Sequence, residues 1–141
     1  MAPINRIEVN LATADEPHAD TRSLVYLGIA GREFGLSSDR GDFQRGRTDR
    51  FVLGEGANVT DAAYKDPRNP QLDTNDLERF PTYIRMSPSG AEPGWLLERA
   101  WVVVYSDYVP SREFDNYALS GSDQRIWLHE PYGLSLHLSR T

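Results

Sequence analysis

The chain has 141 residues, no cysteine and a formal net charge of −6, from 15 basic and 21 acidic residues. This length predicts one domain, spanning residues 1–141, whose core can be stable without cross-links. The lack of cysteine excludes disulfides and thiolate-bound metals. The negative charge argues against a nucleic-acid partner, because binding to phosphate backbones requires a cationic surface.

No apolar run approaches the roughly 20 residues of a membrane-spanning helix. The first residues, MAPINRIEVN, also lack the basic and then apolar pattern of a secretory signal. Together with the absence of cysteine, these features favour a cytoplasmic location but do not establish one.

Five segments with alternating apolar and polar residues occupy the first part of the chain and predict β-strands. They are RIEVNL at 6–11, SLVYLGIAG at 23–31, REFGL at 32–36, TDRFVL at 48–53 and TYIRM at 82–86. In the first of them, Ile7, Val9 and Leu11 share one face, which is expected to point into the core.

The segment LLERAWVVVY at 96–105 is apolar on both faces, which predicts a strand in the middle of a sheet or covered on both sides. Within it we expect Trp101 to be a core residue. Two further strands, RIWLH at 125–129 and LSLHL at 134–138, close the chain. About eight short strands separated by turn residues predict an all-β, antiparallel sandwich.

Two longer segments, 54–80 and 106–123, interrupt the strand pattern. The first is rich in Pro, Asp and Asn, and it is predicted to be a surface loop with helical turns near 61–65 and 74–79, the latter capped by Thr74. The second is rich in aromatic residues. Because long loops in a compact domain are commonly functional, we expect these two to form the contact surface.

The chain contains, in this order, IEVNLATAD, DTRSLVYLGIAG, FQRGRTDRFVL, IRMSPSGAEPGWLLERAWVVV and RIWLHEPYG. Their order and spacing resemble the PLAT (lipoxygenase-homology) domain, and the third matches that family's Phe-x-x-Gly-x-x-Asp-x-Phe segment. The resemblance implies two packed sheets of about four strands each. It also implies a role in binding membranes or partner proteins rather than in catalysis.

An acidic turn follows the first predicted strand, with Asp15, Glu16 and Asp20 close together. Some PLAT domains bind calcium at this edge, so the resemblance implies a calcium site made by these three carboxylates. Two positions depart from the family, since Asp20 stands where a Gly is usual and Arg22 stands near the usual Asp. The alternative is an ordinary solvated turn.

Trp95 follows a Pro-Gly turn at the start of the apolar segment, and two positions of its ring are physically sensible. It either contacts a partner or a membrane as an exposed residue, or it folds back and plugs one end of the sandwich. The acidic neighbours Glu92 and Glu98 favour the plug, because an anionic membrane surface attracts basic segments.

The densest basic segment is DRGDFQRGRTDRF at 39–51, in which arginines and aspartates are interleaved. Its candidate binding residues are Arg45 and Arg47. They either bind a phosphate headgroup or an acidic partner, or pair with the aspartates across a solvated hairpin.

The sequence contains no G-x-S-x-G elbow, no phosphate-binding Gly loop and no H-E-x-x-H helix. We therefore predict a binding or interaction module that is not an enzyme. A protein partner is expected, contacted through Trp95, Tyr64, Tyr108, Phe114, Tyr117, Arg45 and Arg47. The alternative is calcium-assisted binding of a lipid or membrane surface, and a small enzyme is the third and least supported class.

Overall fold

The structure, a computed structural model, describes residues 2–88, 94–119 and 124–141. The turn predicted before Trp95 and the last residues of the 106–123 loop fall partly in the two gaps, outside the described residues. The strands are β1 (Arg6–Thr13), β2 (Leu24–Ile29), β3 (Arg32–Gly35), β4 (Thr48–Gly54), β5 (Thr82–Ser87), β6 (Trp95–Tyr105), β7 (Arg112–Asp115), β8 (Ile126–Leu128) and β9 (Ser135–Arg140).

Helical structure in the described ranges is limited to single turns. The helix α1 spans Asp76–Arg79, and 3-10 turns span Ala62–Tyr64 and Tyr117–Leu119. Within these ranges, no helix is long and apolar enough to cross a membrane.

The strands pair antiparallel in the order β3-β2-β5-β9-β7-β6-β1-β4, with β8 paired to β6. The all-β, antiparallel class predicted from the sequence is confirmed. Two separate four-stranded sheets are not confirmed, because β9 pairs with both β5 and β7 and thereby joins the two halves into one curled sheet. The joint is short, with Phe114 opposite Arg140 and Asp115 opposite Ser139.

The inner face of the curled sheet carries the alternating apolar residues of the predicted strands. Residues buried there include Ile7, Leu11, Leu27, Ile84 and Leu138. Fully burying one such aliphatic side chain contributes about 1.5–3 kcal/mol. The core between the two halves therefore comes from the strand alternation that the sequence displays.

The segment 106–123 contains β7, where the sequence predicted only a loop. The four residues of this strand, REFD, offer a single apolar side chain, which is too little to form an alternating pattern. That side chain, Phe114, is buried in the core. The strand is therefore formed by its pairing with β6 and not by a pattern in its own sequence.

The segment 54–80 is the predicted surface loop with two helical turns, and it also packs against the N-terminal residues. The Ile4 N–H donates to the Leu72 carbonyl at 2.9 Å, and the Thr74 N–H donates to the Ala2 carbonyl at 2.8 Å. Thr74 does not cap α1 as predicted, because its hydroxyl accepts the Ala2 N–H at 3.1 Å instead. The two predicted helical turns are present, as the first 3-10 turn and α1.

The same segment covers both edge strands of the sheet. The Asn58 side chain accepts the Val52 N–H of β4 at 2.7 Å and donates to the Arg50 carbonyl at 2.9 Å. At the other edge, the Arg32 guanidinium of β3 donates to the Asp66 carbonyl at 2.8 Å. Exposed edge strands can pair with strands of other chains. The cover over β4 and β3 therefore protects the protein against such pairing.

Antiparallel pairing places successive connections at opposite ends of the sheet. We call the end where β6 begins the Trp95 end and the end where it finishes the Tyr105 end. Register places Thr13 opposite Leu97 near the first and Arg6 opposite Tyr105 at the second. By the same pairing, the Trp95 end carries the connections 14–23, 36–47 and 129–134.

Candidate functional site

Trp95, one of the candidate contact residues, lies inside the Trp95 end and not on its surface. Its side chain is 0% exposed, and its ring packs against Phe43 with centroids 5.1 Å apart. The indole Nε1–H donates to the Thr13 hydroxyl at 2.9 Å, which satisfies the polar group that a buried Trp carries. Of the two positions considered for Trp95, the structure has the plug that its acidic neighbours favoured, so its assignment as an exposed contact residue is corrected.

Trp101 has the opposite placement from the one expected. It is half-buried on the outer face of β6, where the Arg99 guanidinium lies 4.8 Å from the ring centroid. The buried residues in this half of β6 are Ala100, Val102 and Val104. The core aromatic of the strand is therefore the Trp at its start.

The acidic turn after β1 is neutralised by arginines. Asp15 accepts from Arg45 Nε at 2.9 Å, and Glu16 accepts from Arg125 Nη1 at 2.7 Å. Asp20 is exposed, and within the described ranges no three His, Asp or Glu side chains form a group that could hold a metal ion. Calcium takes about 6–8 oxygen ligands. Because two of the three carboxylates already bind guanidinium groups, the turn as arranged does not fit the ion.

Arg45 and Arg47 are both paired with aspartates, but not across a solvated hairpin as the alternative predicted, because Asp15 lies outside the 39–51 segment and Asp49 is buried. Arg45 pairs with the acidic turn, and Arg47 Nε lies 3.1 Å from Oδ1 of Asp49. The Asp49 carboxylate is buried, and its other oxygen accepts the Phe43 N–H at 2.8 Å. These two arginines therefore hold the connection 36–47 in place.

The aromatic residues predicted to form the contact surface do not come together. Phe114 is buried, which corrects its assignment as a contact residue. Tyr108 lies beyond β6 at the Tyr105 end, while Tyr117 follows β7, which runs towards the Trp95 end. Tyr64 is 83% exposed on the segment that covers the sheet edges. Tyr108 and Tyr117 thus lie towards opposite ends of the sheet, and Tyr64 lies on a different segment from both.

A cavity of about 720 Å³ opens at the Trp95 end, and we call it the aromatic groove. Its lining includes Arg125, Ile126, Trp127, Leu128, His129 and Tyr132. Trp127 is 39% exposed and Tyr132 is 75% exposed, and the rings of His129 and Tyr132 lie 5.8 Å apart. Large apolar surface is therefore presented to solvent on β8 and the turn that follows it.

A tight turn at 129–133 holds Tyr132 at the rim of the aromatic groove. The His129 carbonyl accepts the N–H groups of Tyr132 and Gly133, each at 2.9 Å. Gly133 has φ 126°, in the region that favours glycine. Gly94 is required on the opposite wall, because a Cβ there would lie 2.7 Å from the Cβ of His129.

Trp127 and Tyr132 are candidate contact residues that the sequence pattern did not indicate. The available signal is RIWLHEPYG, in which two aromatic residues flank a turn with Pro and Gly. The signal does not say which way Trp127 points. That direction follows from the pairing of β8 with β6, which sets Trp127 opposite Leu96.

No protein-family profile matches the chain, and no curated protein matches it by sequence. Among solved structures, the alpha toxin from Clostridium absonum has a TM-score of 0.61 at 22% identity, over 98% of this chain and 32% of the toxin. The Clostridium perfringens alpha-toxin from avian strain SWCP has 0.58 at 16% identity, over 97% of this chain and 32% of the toxin. The coral 8R-lipoxygenase, which calcium activates through a C2-like domain, has 0.54 at 17% identity, over 96% of this chain and 17% of the enzyme.

These likenesses define the class of the fold, which is that of the C2-like and PLAT-like β-domains, in agreement with the sequence resemblance. In particular, the chain is similar to part of the clostridial alpha-toxins and to part of the lipoxygenases. It spans about a third of the toxins and about a sixth of the coral enzyme. At these identities the likeness establishes the fold alone.

Proposed function

We propose that this chain is a non-catalytic domain that binds a lipid surface with its Trp95 end, using Trp127 and Tyr132 as the inserting side chains. The observation that carries the proposal is the aromatic groove, with its exposed Trp and Tyr at a turn. Trp and Tyr favour membrane–water interfaces, because each ring is apolar while its polar group remains hydrated.

Other features of the same end support insertion. Leu24, at the start of β2 and at the same end of the sheet, is a further apolar side chain that is 59% exposed. Ile126, next to Trp127 on β8, is half-buried and contributes apolar lining to the groove, whereas Leu128 belongs to the core. Transfer of such surface from water is favourable by about 25 cal/mol per Å².

The charge of the chain indicates a zwitterionic rather than an anionic surface. The net charge is −6, and Arg125, at the rim of the aromatic groove, is paired with Glu16. Anionic membranes attract clusters of unpaired basic residues near the inserted segment. Binding is therefore expected to depend on apolar contact and only weakly on salt.

Calcium remains the alternative for the same surface, suggested by the C2-like domain of the coral enzyme. The arginine pairs of Asp15 and Glu16 argue that calcium is not needed for the contact. The protein partner predicted from the sequence has weaker support, since its exposed candidates Tyr108 and Tyr117 lie towards opposite ends of the sheet.

The test is sedimentation with phosphatidylcholine vesicles, in the presence of EDTA or of millimolar calcium. We expect binding in both conditions, weakened about tenfold by Tyr132→Ala, since loss of one interfacial aromatic removes about 1.5 kcal/mol. Trp127→Ala should act in the same direction.

Tyr108→Ala is the matched control, because Tyr108 is 76% exposed, as Tyr132 is to 75%, but lies at the opposite end of the sheet. It should leave vesicle binding unchanged. Absence of sedimentation in every condition, or equal losses in the two Tyr variants, would contradict the proposal. Binding that requires calcium would favour the alternative.

A further inference from the structure

The strand β8, which carries Trp127, has little support from the sheet itself. It is three residues long, and within the described ranges it pairs with β6 alone, along the first three residues of that strand. A short pairing between two strands is only marginally stable. The place of Trp127 in the aromatic groove therefore requires a further contact that holds β8.

Arg125, immediately before β8, makes such a contact. Its Nη1 donates to Oε1 of Glu16 at 2.7 Å, and its Nη2 lies 3.9 Å from Oε1 of Glu98 on β6. Arg125 lines the aromatic groove, whereas the two glutamates lie outside its lining. The guanidinium thus connects the wall of the groove to the connection 14–23 and to β6.

The connection 14–23 is itself fixed to β6. The Ala14 N–H donates to the Leu96 carbonyl, and the Leu96 N–H donates to the Ala19 carbonyl, each at 3.0 Å. The side chains of these three residues form a small buried cluster. Because Glu16 stands on this fixed base, its pair with Arg125 restrains the strand that follows.

The acidic turn makes two ion pairs, which differ in exposure. In the pair with Arg45, the side chain of Asp15 is 80% exposed and that of the arginine is 51% exposed. In the pair with Arg125, the corresponding values are 45% for Glu16 and 25% for the arginine. Exposed ion pairs contribute little, because water and salt screen them. The Glu16–Arg125 pair is therefore the stronger of the two, and it is the one that reaches the aromatic groove.

We propose that Arg125 is a positioning residue, which Glu16 holds in place and which fixes β8 so that Trp127 is ready for insertion. The acidic turn, whose carboxylates the sequence resemblance assigned to calcium, acts instead on the groove through an arginine of the chain. The effect on lipid binding rests on the proposed function. The effect on β8 does not, and it can be measured without lipid.

The first test is amide hydrogen exchange of Ile126 and Leu128, followed by NMR in the absence of lipid. These two residues direct their N–H groups to β6, since Leu96 between their partners directs its own to the connection 14–23. Glu16→Gln and Arg125→Gln should each speed the exchange about threefold, as expected for loss of a partly exposed ion pair. The double variant should exchange no faster than either single variant, because both changes break the same contact.

The second test is sedimentation with phosphatidylcholine vesicles in EDTA. Glu16→Gln should weaken binding about threefold, because Trp127 then has to be ordered on insertion. The sign of this effect is decisive, since Glu16 lies outside the groove. If Arg125 contacted the lipid directly, Glu16→Gln would release its guanidinium and strengthen binding, and that result would overturn the proposal.

Asp15→Asn is the matched control, because it removes the same charge from the same turn but leaves the pair with Arg125 intact. It should change neither the exchange of β8 nor vesicle binding, and the amides of β2 serve as the internal reference in every variant. Unchanged exchange of β8 in Glu16→Gln, an equal increase in Asp15→Asn, or an equal increase in β2 would also overturn the proposal. If the parent protein does not bind vesicles, the proposed function fails, whereas faster exchange confined to β8 still supports the positioning role of Arg125.

Discussion

Trp95 and Trp127 lie one register position apart on the β6–β8 pair, where Trp95 opposes Leu128 and Leu96 opposes Trp127. Successive residues of a strand point to opposite faces of a sheet. Trp95 is therefore enclosed in the core, whereas Trp127 is 39% exposed in the aromatic groove. Two residues of the same type at the same end of the molecule thus have different roles, and pairing alone separates the plug from the exposed contact residue.

The largest expected effect tests this difference through stability. Trp95→Ala should lower the free energy of unfolding by about 3–5 kcal/mol, because it leaves a cavity in the core. Trp127→Ala should cost less than about 1 kcal/mol, since much of that ring is already in water. Urea unfolding of both variants gives the comparison. Equal losses of unfolding free energy, or a larger loss for Trp127→Ala, would contradict the placement of Trp95 in the core and of Trp127 at the surface.

A smaller effect is expected from the hydroxyl that holds Trp95. Thr13→Val keeps the shape of the side chain but leaves the buried indole N–H without its acceptor, at a cost of about 1–3 kcal/mol. Thr13→Ser retains the hydroxyl and should recover most of that loss. Urea unfolding measures both variants. A free energy of unfolding that is unchanged in Thr13→Val would mean that the indole N–H has another acceptor.

The smallest effect concerns the outer face of β2, β3 and β5, a polar counterpart to the aromatic groove. The Arg85 guanidinium and the Tyr83 hydroxyl, both donating to Glu33, hold the pKa of that carboxyl below its usual 4.5. A lowered folded-state pKa contributes stability above the unfolded pKa and loses it as the pH falls through the folded value.

Glu33→Gln should therefore lower the free energy of unfolding at pH 7, by less than about 1 kcal/mol, because the pair is exposed. The difference from the parent protein should shrink as the pH falls below about 4.5. Urea unfolding at pH 7 and pH 3 measures it. A difference that grows at the lower pH would mean that Glu33 does not stabilise the folded state through its charged form.

The strands could be predicted wherever apolar and polar residues alternate over five or more positions, as in β1 and β5. There the same side chains that form the pattern are the ones buried, as Ile7 and Ile84 illustrate. β7 could not be predicted, because Phe114 is its only apolar residue and the strand exists by pairing with β6. Segment 54–80 could be predicted as a surface loop with two helical turns, but its hydrogen bonds to Ala2 and Ile4 could not, because they join residues distant in the chain.

The candidate site was harder to predict than the fold. The exposed aromatic residues that the sequence highlighted lie on different segments, with Tyr108 and Tyr117 towards opposite ends of the sheet, whereas Trp127 and Tyr132 share one groove. Polarity and residue type indicate which side chains can make contacts. They do not indicate which side chains come together, because that depends on the end of the sheet at which each turn lies.

The position of Trp95 shows where local sequence stops being sufficient. Along the β1–β6 pair, Ala12 opposes Arg99, but the next residue, Thr13, opposes Leu97. Glu98 is therefore an extra residue on β6. Such a bulge shifts the alternation of a strand by one position, so that side chains before and after it exchange faces.

The sequence by itself determined that this protein is an antiparallel β-domain, because apolar alternation and turn residues are local properties. Only the tertiary structure decided that Trp95 faces the core while Trp101 and Trp127 face outward. Strict alternation would have put Trp95 and Trp101 on one face, six residues apart. The direction of each ring depends on the register of its strand with strands distant in the chain. It also depends on the bulge at Glu98, which no local sequence pattern predicts.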